Sequence, residues 1–180
     1  ENDASNVYAV FAHPDTGPLR MPMAYQHATP FGQDIGGVDP ALFAAEPDSQ
    51  YDSWLTIGIT DGDTDDQLRS VGIDFSTWTS DSDLIVPDGA VFTEDTDWAT
   101  GEEIVIAQIT TDRYLEWNAR ISAQGRLLGN RTVDTATGRP DGDWQQNDIS
   151  FARHSRNLGL IAANDYRCLC TPGYANGMCD

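Results

Sequence analysis

Three groups of residues in this 180-residue chain carry atoms that could do chemistry: clustered aspartates, three histidines and three cysteines. The densest acidic run is Asp61-Gly-Asp-Thr-Asp-Asp66. Its D-x-D-x-D spacing matches the opening of an EF-hand loop and would converge oxygens of Asp61, Asp63 and Asp65 on a calcium ion. The match then ends, because Asp66 stands where the sharp turn needs glycine and Gly72 stands where a bidentate glutamate belongs. A loop calcium site is one reading, and an acidic hairpin turn in solvent is the other. Asp81/Asp83 and Asp95/Asp97 repeat the idea in shorter form.

A catalytic nucleophile needs a base within hydrogen-bond reach, and His13, His27 and His154 stand in unrelated contexts with no nucleophile elbow. His13 and His27 would meet only if the N-terminal segment folded as a hairpin, and two histidines make an incomplete metal site. A glycosidase needs two carboxylates about 5–9.5 Å apart. With 29 acids in the chain some pair meets that distance by chance, so the criterion selects nothing. The chain reads as a non-enzyme. Cys168, Cys170 and Cys179 form a C-x-C-x8-C array at the C-terminal end. Three thiolates without a neighbouring histidine make a poor zinc set, whereas cysteines packed this densely suit disulfides in an oxidising compartment. Asn130-Arg-Thr132 is the one N-x-[ST] triplet, a candidate N-glycosylation site.

Composition narrows the partners. The chain has 29 acids against 10 bases, a formal net charge of −19. Of the acids 23 are Asp, and every base is Arg. Short Asp carboxylates hydrogen-bond their own backbone, which favours turns and weakens helices. A field this negative opposes nucleic-acid phosphates and anionic membranes. It suits divalent cations, salty water that screens self-repulsion, or a basic partner. No apolar run approaches the roughly 18–20 residues of a spanning helix, so no membrane insertion is expected. No basic segment leads into an apolar stretch, so any secretory leader is expected to have been removed.

The elements that must position these residues read as strands. Residues 115–123 alternate strictly, with Leu115, Trp117, Ala119, Ile121 and Ala123 on one face. Residues 70–75 place Val71, Ile73 and Phe75 inward, and Leu55, Ile57 and Ile59 share a face within residues 51–60. Residues 103–110 are more uniformly apolar, as a central strand covered on both faces would be. Residues 7–13, 90–93 and 148–153 supply further strands. Pro40–Ala45 predicts one helical turn capped by Asp39. Short strands separated by turn clusters indicate an all-β, antiparallel β-sandwich or jelly-roll over residues 1–153. Residues 154–180 then form a connector, partly extended through 158–162, and a Cys-rich tail. Of the tryptophans, Trp117 fits the core and Trp54 falls opposite Leu55 and Ile57. Trp78, Trp98 and Trp144 lie next to loops, where they either plug the sandwich ends or offer rings to a sugar.

Two resemblances add to this. Cys168-Leu-Cys-Thr-Pro-Gly-Tyr-Ala-Asn-Gly-Met-Cys179 resembles the closing half of an EGF-like module, in which the last two cysteines pair around a Gly-aromatic turn. The resemblance implies a Cys170–Cys179 disulfide. It leaves Cys168 without the earlier module cysteine, since residues 1–167 contain none, so Cys168 is expected to bond another chain or a Cys-rich continuation past Asp180. The run Glu46-Pro-Asp-Ser-Gln-Tyr-Asp-Ser-Trp-Leu-Thr-Ile-Gly58, followed by Val71-Gly-Ile-Asp-Phe75, is similar to segments of large secreted proteins of marine microbes. Val105-Ile-Ala-Gln-Ile-Thr110 and Asp148-Ile-Ser-Phe151 fit the same pattern. Such domains sit beside EGF-like modules in proteins resembling mastigoneme components, the glycoprotein hairs of algal flagella. That likeness implies an extracellular structural or adhesive role among copies of the chain or other extracellular glycoproteins, and carries no catalytic residue. The expectation is therefore a secreted or cell-surface assembly module, of filament type, needing no cofactor except calcium at its acidic loops. The alternative is a carbohydrate-binding, lectin-like module, which requires at least two coplanar exposed tryptophans.

Overall fold

Alternation along residues 115–123 builds the longest pairing of the fold. A strand over Trp117–Arg126 lies antiparallel to one over Asp143–Arg153, in register from Trp117 opposite Arg153 to Arg126 opposite Asp143. The structure, a computed structural model, describes residues 6–15, 17–95, 103–113, 115–126 and 143–153, with the backbone of Ile161–Ala162. In chain order its strands are β1 (Ala9–Phe11), β2 (Leu19–Met21), β3 (Trp54–Leu55), β4 (Leu68–Val71), β5 (Leu84–Val86), β6 (Ala90–Thr93), β7 (Ala107–Gln108), β8 and β9 (the long pair) and β10 (Ile161–Ala162). Among the described residues the only helical elements are three short 3₁₀ turns, at Pro40–Ala44, Pro47–Tyr51 and Phe75–Thr77.

β8 is the trunk of a forked sheet. One edge pairs with β9, and β9 with β10. Along its other edge, Ser122–Gln124 pair with β1 and Arg120 with β2. One branch continues from β1 through β6 to β4, and the other from β2 to β5. β3 and β7 form a separate two-stranded ribbon. Among the described residues every pairing between these strands is antiparallel, with one isolated parallel bridge from Ile35 to Leu55, so the all-β, antiparallel expectation holds. The register of β8 against β9 shifts between Ile121 and Ala123. Opposite that shift Asp148 takes φ 60, a left-handed conformation that Asp tolerates better than most residues. Its carboxylate accepts a hydrogen bond from Arg120 Nε, which pins the bulge.

The inward face of the large sheet supplies Val10, Leu19, Met21, Leu84, Val86, Val91, Ala119, Ile121, Ala123 and Ile149, all buried. Leu55 from the ribbon and Trp78 join this cluster. Ile57, Ile59 and Leu68 form a smaller second cluster with Val7, Ile35 and Ile104 against it. Each of the Val, Leu, Ile and Met side chains contributes about 1.5–3 kcal/mol on burial, so the apolar alternation read from the sequence is also what holds the layers together.

Two details differ from the sequence expectation. Leu68, not Val71, takes the inward place on β4, and Val71 is 59% exposed. The strand ends there because Gly72 turns at φ +70, where a Cβ would meet Asp88 O at 2.3 Å. Residues 103–110 contribute only the two-residue β7, and Val105 is 45% exposed, so this segment is not covered on both faces. Its contacts run to one side, through Thr56 N to Ile106 O and Gly58 N to Val105 O. The extension read through 158–162 is met at its end, where Ile161 pairs with Ala152 and Ala162 with Phe151.

Gly125 shows how closely the chain start is sewn to the trunk. Asn6 N donates to Arg126 O at 2.9 Å and Arg126 N to Asn6 Oδ1 at 2.8 Å. A Cβ on Gly125 would lie 1.8 Å from Asn6 O and 2.4 Å from the Trp144 ring. Gly125→Ala is expected to destabilise the fold by about 2–3 kcal/mol. Urea denaturation that finds the variant within 0.5 kcal/mol of the parent (a rough surface-substitution range) contradicts this packing.

Candidate functional site

The chain's most abundant chemical group, the Asp carboxylate, is the natural place to look for a site. In the described residues several of these carboxylates accept hydrogen bonds from backbone N–H groups, while others pair with arginines or stand exposed. Asp39 Oδ1 accepts from Ala41 N at 2.8 Å, capping the turn that the Asp39-Pro40 pair predicted. Asp74 does the same for Ser76 N at the Phe75–Thr77 turn. Asp63 accepts from Gln67 N through Oδ1 and from Leu68 N through Oδ2, both at 2.8 Å, and so launches β4. Asp83 accepts from Met23 N at 2.9 Å with one oxygen and from Arg20 Nη2 at 2.6 Å with the other, joining the start of β5 to the exit of β2.

The residues of the D-x-D-x-D run, Asp61, Asp63 and Asp65, stand in three different surroundings. The Asp63 carboxylate accepts two backbone N–H groups, Asp61 pairs with Gly37 through its backbone, and Asp61 and Asp65 are exposed. Among the described residues no group of three or more His, Cys, Asp or Glu side chains is arranged to hold a metal ion. The D-x-D-x-D run is clasped onto Gly36–Gly37, with Gly62 N donating to Gly36 O at 3.1 Å. Glycine is required there: Gly36 and Gly37 both take φ +80, and a Cβ on Gly36 would sit 2.7 Å from Asp63 Cβ.

The deepest carboxylate is Asp52, 1% exposed. Its Oδ1 accepts from His27 N at 2.7 Å and its Oδ2 from Gln33 N at 2.6 Å, so it ties the loop over residues 27–33 to the end of the Pro47–Tyr51 turn. Burial raises its pKa, and hydrogen bonds from the His27, Gln33 and Ser53 backbones oppose that rise. The His27 ring packs between Tyr25 and Phe31, with centroids 6.2 and 6.4 Å away, and its Nε2 lies 3.6 Å from Glu46 Oε1. His13 instead neighbours Phe11, and its Nδ1 accepts from Asp15 N. The two histidines thus belong to different loops, each with its own partners.

The tryptophans are inside or half-inside. Trp78 and Trp54 are buried at 2% and 4%, and Trp117 and Trp144 pack half-buried against the main core. Trp54 is therefore covered on the face opposite Leu55, and no described tryptophan is exposed. Trp98, Asn130, Cys168, Cys170, Cys179 and His154 lie outside the described residues. The large apolar side chains that are exposed are Tyr51, Val71, Ile85 and Val105. Asp52 and Asp83 were invisible as anchors in the sequence, because their backbone partners lie 19 to 60 residues away. No family model, no curated protein and no solved structure matches this chain.

Proposed function

We propose that this chain is an extracellular structural module of a larger glycoprotein assembly, built as a β-sandwich-like body with a disulfide-bonded tail. The observation that carries the reading is the employment of its acids: Asp39, Asp52, Asp63, Asp74 and Asp83 each brace backbone. Loops fixed in this way give a stiff body suited to bearing contacts. The strand edges support the same reading. Among the described residues β5 pairs along one edge only, with β2, and Ile85 on it is 55% exposed. An open strand carrying an outward apolar residue is a template for another chain. The likeness to mastigoneme-type glycoproteins points the same way, and calcium bridging acidic loops of adjacent copies would offset the −19 charge on assembly.

The reading is tested by disulfide mapping of the full chain under non-reducing conditions, with mass measured by light scattering in calcium. The expected map joins Cys170 to Cys179 and places Cys168 in a bond to a second chain. The expected mass in calcium exceeds that of the monomer. A free Cys168 thiol in a protein that stays monomeric in calcium would overturn the proposal.

A further inference from the structure

His27 sits at the base of a loop that the assembly reading leaves unused. Its backbone N donates to Asp52 Oδ1 at 2.7 Å, and Gln33 N at the far end of the loop donates to Asp52 Oδ2 at 2.6 Å. Between them Phe31 N and Gly32 N both donate to Ala28 O, at 3.2 and 3.1 Å. A Cβ on Gly32 would collide with His27 O, so the returning chain lies directly against the residue it left from. Ala28, Thr29 and Pro30 form the exposed tip. Whatever fixes His27 therefore fixes both ends of this loop.

The imidazole itself is not yet fixed. Its side chain is 15% exposed, and its Nε2 is buried with no hydrogen-bond partner among the described residues. An unsatisfied buried polar atom in a folded chain calls for an explanation. Glu46 Oε1 stands 3.6 Å away, within ion-pair range and beyond hydrogen-bond length. The Glu46 side chain is 39% exposed, which leaves it room to turn and close the gap, and no described arginine pairs with it. The titratable groups around His27 are Tyr25 from its own segment, Glu46 from the junction of the first two 3₁₀ turns, and Asp52 from the end of the second. Asp48 lies beyond Tyr25. None of these carries positive charge.

We propose that His27 and Glu46 form a proton-operated clasp: when the imidazole takes up a proton, its Nε2–H closes onto the Glu46 carboxylate and locks the 27–33 loop to the two turns. Imidazole takes up its proton near pH 6.5 in ordinary surroundings. The stability that the clasp contributes is therefore present below that range and lost as pH rises through it. The charged ring acts on Asp52 as well. Burial raises the Asp52 pKa, and the charge of His27 is among the influences that lower it. A protonated His27 thus keeps that carboxylate ionised, the stronger acceptor for both loop amides. The clasp does not rest on the assembly reading, since a monomer carries all of it.

The test is an NMR titration of the full chain from pH 5.5 to 8, a window above the ordinary glutamate value and spanning the histidine one. It follows the side-chain carboxyl carbon of Glu46, the His27 ring and the amides of residues 27–33. The expected result is a step in the Glu46 carboxyl shift that coincides with protonation of the His27 ring, joined by the Gly32 and Gln33 amides. Both steps vanish in His27→Gln. In Glu46→Gln the ring still titrates while the amide step falls by about half or more. A double-mutant cycle of the two substitutions, by urea denaturation, should show a coupling of about three- to fivefold in the folding constant at pH 5.5 and less than about 1.5-fold at pH 8. A Glu46 carboxyl without a step, a coupling equal at both pH values, or loop shifts that survive His27→Gln and so belong to Asp52 overturns the proposal. If His27→Gln does not fold, Glu46→Gln decides alone, and an undiminished amide step in it overturns the clasp.

Discussion

Replacing Trp78 with alanine is expected to lower the unfolding free energy by about 3–5 kcal/mol, the range for deleting a fully buried aromatic side chain. Among the described residues Trp78 is the largest side chain buried to this degree, and it lies in the cluster that joins Leu55 to the inward residues of the large sheet. Its indole also holds a loop in place: Nε1 donates to Pro22 O at 2.7 Å, across 56 residues of sequence. Alanine thus leaves a cavity beneath the sheet and a buried carbonyl without its donor, and the second loss adds about 1–3 kcal/mol if water does not enter. Trp78→Phe separates the two effects. It keeps most of the apolar volume and removes the donor, so about half the loss is expected. Urea denaturation followed by far-UV circular dichroism measures both. If alanine costs less than about 1.5 kcal/mol, well below the range for buried aromatics, Trp78 is not the centre of this core.

Trp78 also marks where sequence reading stops. Residues 80–82 after it read as a turn cluster, and a tryptophan beside a loop reads as an end plug with an exposed ring as the other choice. What decides the matter is the Pro22 carbonyl, delivered by a strand that no local pattern ties to residue 78. By contrast, Ala119, Ile121 and Ala123 were legible because a period of two repeated over nine residues leaves one self-consistent face. The Asp39-Pro40 cap was legible because donor and acceptor lie two residues apart. Val71 misled for the opposite reason. In a four-residue edge strand an alternation has too few repeats to fix its phase, and Leu68 took the inward place. The acidic run at 61–66 was visible as a cluster. That Asp63 faces the amides of Gln67 and Leu68 depends on the grip of Gly36 and Gly37, some 25 residues upstream. Contacts within a turn or along a long strand leave a local pattern, and contacts closed by the tertiary fold leave none.

Asp52 is the sharpest case of that second kind, and its removal carries the other large expected effect. Asp52→Ala withdraws the acceptor from His27 N and Gln33 N together, leaving two amides of a tightly folded loop without partners. At about 1–3 kcal/mol for each orphaned donor, a loss of roughly 2–4 kcal/mol is expected once the relief of burying a charge is deducted. In a protein of this size that is a fall in Tm of about 10 °C. Asp52→Asn should cost less, about 2 kcal/mol, because one oxygen survives while the new amide faces an N–H. The pH dependence distinguishes this anchor from a surface acid. Burial raises the folded-state pKa of Asp52 above its unfolded value, so between the two values the native chain holds more protons than the unfolded one. Its ionisation therefore costs stability as pH rises through the folded pKa, and that cost is relieved as pH falls toward the unfolded pKa. Calorimetry across this window should show the margin of the parent over Asp52→Ala widening on mild acidification. A margin that narrows instead would mean that the two backbone N–H bonds outweigh desolvation, and that Asp52 is held ionised by the loop it closes.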